Sequence, residues 1–132
     1  MTTGVLKLDV RTDWGYHTQG KKALFNETQT KKFKYEFQNT SSNRKWCSQD
    51  HDKRTQPKVI CSKSGYLKPW YDAGTMGVTE NSWVVPVKNK TQAKKVIEFL
   101  ESEDVKKFVN LATGGNTLVN DPQIYRMLSF QV

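Results

Sequence analysis

Cations and large aromatics interleave between Arg44 and Tyr71: Arg44, Lys45, Trp46, Lys53, Arg54, Lys58, Lys63, Tyr66, Lys68, Trp70 and Tyr71. Lysine and arginine neutralise phosphates, and arginine, lysine, asparagine and glutamine can read base edges in a groove. Aromatic faces can stack on an unpaired or flipped base. The residue types therefore suit a surface that meets a polyphosphate. Trp46, Trp70 and Tyr71 have a competing role as core residues, since large aromatics are mostly buried. Lys63 and Lys68 are the stronger contact candidates, because they sit in a loop constrained by Gly and Pro. Ser64 and Thr79 extend the candidate contact set along the same stretch.

The charge distribution supports the same chemistry. The 132 residues carry a net charge of +8. Residues 1–70 hold 14 Lys/Arg and 6 Asp/Glu, whereas residues 71–132 hold 7 of each. A basic half beside a neutral half is the footprint expected of a nucleic-acid binder. Counterion release from neutralised phosphates would then supply most of the affinity.

Catalytic constellations are missing from the sequence. It contains no glycine-rich phosphate loop and no Gly-x-Ser-x-Gly nucleophile elbow. His17 lies in a polar, loop-like stretch, where a solvent-exposed histidine is expected. Asp9, Asp13 and Asp72 are the carboxylates that a small metal-dependent nuclease could use. Cys47, His51 and Cys61 match no standard zinc spacing and lack a fourth ligand, so no metal and no cofactor are expected. The two cysteines form no disulfide framework, and no apolar stretch is long enough for a signal peptide or membrane span. The expectation is a cytoplasmic protein with reduced thiols.

The elements that must position these residues follow from the periodicities. Leu6, Leu8 and Val10 alternate with Lys7, Asp9 and Arg11, which predicts a half-buried strand. Thr12 to Thr30 is polar and reads as a loop. Phe33, Tyr35 and Phe37 predict a second strand. Asn39 to Gln56 is polar, reads as an exposed mobile segment, and holds one short strand at Lys45–Ser48. PKVICS predicts a buried strand, and Ser64 to Gly77 a loop with demanding backbone angles. Asn81 to Val87 predicts a strand whose Pro86 belongs at a sheet edge or bulge. A helix is predicted over Gln92–Glu101, capped by Thr91, with Ala93, Val96, Ile97 and Leu100 inward. A second helix follows Ser102, with Val105, Phe108, Val109 and Ala112 inward, and ends at Gly114 and Gly115. Asp121-Pro122 caps a third, reaching about Leu128. The order predicts a single α+β domain over 1–132. A twisted, mostly antiparallel or mixed sheet from the N-terminal two-thirds would carry two to three C-terminal helices on one face.

Residues 57–83, PKVICSKSGYLKPWYDAGTMGVTENSW, and the helix QAKKVIEFLESEDVKKFV carry a family resemblance. The pattern runs through Lys58–Ser62, Ser64-Gly65-Tyr66, Pro69, Tyr71-Asp72, Gly74, Gly77, Thr79 and Phe99-Leu100-Glu101-Ser102. It resembles the C-terminal specificity region of TaqI-like adenine-specific DNA methyltransferases and fused restriction–modification enzymes. In that family the region recognises the target, while a separate domain holds S-adenosylmethionine and the Asn-Pro-Pro-aromatic motif. This chain has Asn120-Asp121-Pro122-Gln123 instead, without the second proline or the aromatic. The resemblance thus implies recognition of double-stranded DNA without methyl transfer, beside a separate catalytic domain or subunit. Gly65, Pro69, Asp72, Gly74 and Gly77 would shape the loop. The rival readings are a single-strand or RNA binder, a nuclease built on the three carboxylates, and a subunit whose basic face meets an acidic protein.

Overall fold

The computed structural model describes residues 5–18, 21–63, 68–115 and 121–131. Along them run β1 (Val5–Lys7), a 3-10 turn (Lys22–Leu24), β2 (Phe25–Asn26), β3 (Tyr35–Gln38), β4 (Arg44–Cys47) and β5 (Lys58–Ser62). Then come β6 (Trp70–Asp72), β7 (Gly77–Val78), β8 (Ser82–Pro86), α1 (Lys90–Leu100), α2 (Glu103–Ala112), α3 (Pro122–Tyr125) and β9 (Ser129–Gln131). The class is α+β, with the helices after most of the strands, as the patterning predicts.

The strands divide among three sheets rather than one. A four-stranded sheet has the order β2-β4-β3-β7, a three-stranded sheet the order β6-β5-β8, and β1 pairs with β9. Among the described strands every pairing is antiparallel except β3 with β7, and an isolated parallel bridge joins Tyr16 to Thr79. β5 is the centre of the molecule, and all five of its residues are buried. The reason is that both faces of its sheet are covered. Successive strand residues point to opposite faces. Val59 and Cys61 join Trp83 and Val85 against Ala93, Val96 and Leu100 of α1. Ile60 and Val84 face Met76 and Val78, with Trp14 and Trp70 packed alongside. Each such buried Val or Ile stabilises the fold by roughly 1.5–3 kcal/mol.

Several local expectations need correction. The Thr12–Thr30 stretch contains the 3-10 turn and β2. In the Asn39–Gln56 stretch the short strand predicted at Lys45–Ser48 is present as β4, one residue earlier, but the stretch is not an exposed excursion, because β4 lies between β2 and β3 with Cys47 buried. The Ser64–Gly77 stretch contains β6, whose Trp70 and Tyr71 pair across to Ile60 and Val59. The predicted first strand is strand only at its start, in β1, yet the alternation continues past it: Leu8 and Val10 are buried while Lys7, Asp9 and Arg11 are exposed. Pro86 ends the edge strand β8, where a missing N–H is tolerated.

The helix caps follow side-chain chemistry. Asn89, rather than Thr91, caps α1 by accepting from the Gln92 N–H at 2.9 Å. The Gln92 side chain returns a bond from the Lys88 N–H at 2.7 Å, which locks the entry. Ser102 caps α2, and Gly114 and Gly115 close it with φ of +65° and +90°. The Gly115 N–H reaches the Asn110 carbonyl at 2.8 Å, and Gly114 reaches that of Leu111 at 3.3 Å. That is a Schellman ending. The inward stripe of α2 is narrower than predicted, since Val105 and Val109 are buried but Phe108 and Ala112 are exposed. α3 stops at Tyr125, because the chain turns through Arg126–Leu128 into β9. Among the described residues, no helix is long and apolar enough to cross a membrane.

Candidate nucleic-acid interface

The structure separates the predicted contact residues into two groups at opposite ends of β5. Five residues of extended chain span about 17 Å at 3.3–3.4 Å each. The Ser62 end carries Lys63 and Lys68 from the β5–β6 connection, Trp70 at the start of β6 and Arg44 at the start of β4. The Arg44 guanidinium lies over the Trp70 ring, 5.8 Å from its centroid, which links the two larger sheets. Arg44 also pairs with Glu36 at 3.4 Å, yet remains exposed.

A polar knot positions this end. Thr79 Oγ1 donates to Asn39 Oδ1 at 2.9 Å, and Asn81 Nδ2 donates to the same oxygen at 3.2 Å. Asn39 Nδ2 donates to Asn43 Oδ1 at 3.0 Å, which shapes the β3–β4 turn. The Lys63 N–H donates to the Asn81 carbonyl at 3.0 Å. The β3–β4 turn, the β7–β8 turn and the root of the Lys63 segment are thereby tied together. Gln38 Oε1 and Ser82 Oγ are buried at the same end without a partner among the described residues.

The Lys58 end holds Lys53 and Arg54, but these cations are already engaged. Arg54 Nε bonds Asp50 Oδ1 and its Nη2 bonds Asp50 Oδ2, a two-pronged pair. Arg54 Nη1 reaches the Thr75 carbonyl at 3.2 Å, and the guanidinium lies 5.0 Å from the Tyr35 ring centroid. The hydrogen bond from Arg54 is the largest influence holding the Asp50 carboxyl below its usual range. Lys53 lies over Trp14 at 5.3 Å. Tyr16 donates its hydroxyl to the Asp50 carbonyl at 2.6 Å and meets His51 edge-on. Arg54 is thus a strut between the segment before β5 and the one after β6.

Other members of the contact set are placed elsewhere. Lys45 pairs with Glu27 at 3.1 Å, and its alternation along β4 puts it on the face opposite Arg44. Lys58 is fully buried against Asp72, so it cannot meet a phosphate. Thr79 is 2% exposed and belongs to the polar knot. Tyr71 packs against the α1-facing core. Ser64, Gly65 and Tyr66 lie outside the described residues.

The loop-shaping residues have distinct causes. Pro69 is half-buried directly before β6. Gly74 has φ +124°, and an added Cβ would stand 2.5 Å from the Thr55 carbonyl oxygen. At Gly77 the limit is contact: a Cβ would fall 2.4 Å from the Phe37 ring, where β7 runs beside β3. Asp72 accepts from Lys58 Nζ at 2.6 Å and from the Thr75 N–H at 3.0 Å.

The three carboxylates proposed for metal chemistry do not converge. Asp9 pairs with Arg11 at 2.8 Å on the surface, Asp13 is exposed, and Asp72 is sealed against Lys58. Among the described residues, no cluster of three or more His, Cys, Asp or Glu could hold a metal ion. Cys47 and Cys61 are unpaired and buried, and burial pushes the Cys61 thiol far up. His17 is exposed.

The sequence reading missed one set of basic–aromatic contacts. Lys21 lies over Tyr16, Lys32 over Phe33, and Lys34 over Tyr35, at 5.9, 5.4 and 5.3 Å. The alternation in KKFKYEF signals it, but periodicity alone spends that signal on strand prediction. Comparison with family models, with curated proteins and with solved structures finds no match to this chain.

Proposed function

We propose that this chain binds double-stranded DNA as a recognition module and catalyses no reaction itself. The carrying observation is the concentration of the entire +8 excess in residues 1–70, with Arg44 over Trp70 and with Lys63 and Lys68 in the adjoining β5–β6 connection. Lys63 and Lys68 would hold phosphates, and Arg44 would lie against phosphate or a guanine edge. The polar knot of Asn39, Thr79 and Asn81 would keep the three turns in register, so that little ordering is needed on binding. The likeness of residues 57–83 to a methyltransferase specificity region supports a catalytic partner that supplies the methyl transfer. This reading implies an intracellular site of action.

Filter binding of a mixed-sequence duplex tests it. Lys63→Ala with Lys68→Ala should weaken binding to all sequences and flatten the dependence on log salt by about 0.9 for each phosphate no longer neutralised. Unchanged affinity and slope would remove this end of the sheet from the interface. Cleavage of plasmid DNA with magnesium would overturn the non-catalytic part.

A single-strand binder is the second reading. The rings of Tyr16, Phe33, Tyr35 and Trp14, each already beneath a cation, favour it. Tighter binding to an unstructured oligonucleotide than to the duplex would select it.

A further inference from the structure

The basic half of the chain holds a second surface, away from the Ser62 end. Arg11, Arg44, Lys45, Arg54 and Lys58 each sit against a carboxylate. Lys31, Lys32 and Lys34 are exposed and have no carboxylate partner among the described residues. The acids nearest to them in sequence, Glu27 and Glu36, are taken by Lys45 at 3.1 Å and by Arg44 at 3.4 Å. The turn that carries these lysines is closed from both sides. The Thr30 N–H donates to the Phe33 carbonyl, and the Phe33 N–H donates to Thr30 Oγ1, both at 3.0 Å. Phe33 and Tyr35 are half-buried and lie outside the two cores that cover β5. Lys32 stands 5.4 Å from the ring centroid of Phe33, and Lys34 5.3 Å from that of Tyr35. From Tyr35, β3 leads to the polar knot at Asn39, so about 13 Å of extended chain separates this turn from the Ser62 end.

We propose that the segment from Thr30 to Tyr35 is a second nucleic-acid site, and that it takes an unpaired strand. Three uncompensated cations on a preformed turn suit phosphates, at little ordering cost. The two rings beside them suit bases, which offer a face for stacking once they are unpaired. A duplex keeps those faces inside its own stack. A base on either ring would leave its phosphate within reach of the neighbouring lysine. The site goes beyond the duplex reading, because it adds a second ligand at a second place, and it stands or falls separately from that reading.

A fluorescein-labelled oligothymidylate of about twelve nucleotides is the probe. Fluorescence anisotropy should show saturable binding to the intact protein. Lys31→Ala with Lys32→Ala and Lys34→Ala, all at exposed positions, should weaken it roughly tenfold. The same variant should flatten the dependence on log salt by about 0.7 for each phosphate no longer neutralised. Phe33→Leu keeps the apolar bulk and removes the ring. It should weaken binding roughly fivefold and leave the salt slope unchanged, as loss of stacking requires. Lys63→Ala with Lys68→Ala should bind the oligothymidylate like the parent, and excess blunt duplex should not displace it. No saturable binding, full displacement by duplex, equal competition by inorganic polyphosphate of matched charge, or parental affinity in Phe33→Leu would each overturn the proposal. Oligothymidylate binding without any duplex binding would sink the duplex reading and support this site.

Discussion

Lys58 Nζ stands 2.6 Å from Asp72 Oδ2, with 0% and 1% of the two side chains exposed. Strand register makes the meeting unavoidable, because Lys58 and Asp72 are direct partners across β5 and β6. The backbone carbonyls of Arg54 and Gln56 take further ammonium hydrogens at 2.9 and 3.1 Å. The second Asp72 oxygen holds the N–H and the hydroxyl of Thr75, both at 3.0 Å. The pair is therefore saturated, and breaking it leaves a buried charge alone. Asp72→Ala should cost about 3–5 kcal/mol in urea unfolding, whereas Lys58→Met with Asp72→Leu should recover much of that loss.

The same carboxylate gives the stability curve an acid limb. Burial would raise the Asp72 carboxyl. The hydrogen bond and charge of Lys58, with the Thr75 and Met76 N–H groups, outweigh burial and hold it below its usual range. Its contribution is fully present above the unfolded-state value of about 4 and is lost as the pH falls through the lower folded-state value. Urea midpoints between pH 7 and pH 2 should drop on that limb. In Asp72→Asn the midpoint should start lower and fall less.

Gly74 and Gly77 should fail differently when changed to alanine. Gly74→Ala strains a backbone at φ +124° and meets the Thr55 carbonyl, for a loss of about 1–3 kcal/mol. Gly77→Ala drives a methyl into the Phe37 ring, and Phe37→Leu in the same chain should relieve part of the loss. Thermal melts of the three variants separate strain from crowding.

Arg44→Ala and Arg54→Ala should divide stability from binding. Arg44 is exposed over Trp70, so its loss should lower duplex affinity with a small change in melting temperature. Arg54 braces Asp50 and Thr75, so its loss should lower the melting temperature and leave the salt slope intact. Paired melts and filter-binding titrations on both variants check this.

Asn89→Ala should destabilise the protein by about 1 kcal/mol through loss of the α1 cap, and Thr91→Ala by much less. Urea titration of the two variants distinguishes them.

Much of the fold is legible in the sequence where one element has one apolar face. Leu8 and Val10 alternate with charged neighbours, and Ala93, Val96 and Leu100 recur at helical spacing, because each faces a single core. β6 and β7 escape such reading. Three residues, Trp70–Asp72, are too short to show a period, and β7 is a glycine–valine pair held by a parallel neighbour distant in sequence. The candidate site is legible as composition but not as geometry. Nothing local distinguishes Lys58, buried by its register with Asp72, from Lys63, five residues further along the same run. Nor does spacing reveal that Arg54 is claimed by Asp50.

The ribbon of β1 and β9 sets a timetable for assembly. Val5 is opposite Gln131, Leu6 opposite Phe130 and Lys7 opposite Ser129. A nascent chain emerging residue by residue from a ribosome must therefore have made Ser129–Gln131 before Val5–Lys7 finds its neighbour. The β5–β8 pair and the helices that cover it can dock earlier, leaving the β1 segment as the final piece to settle.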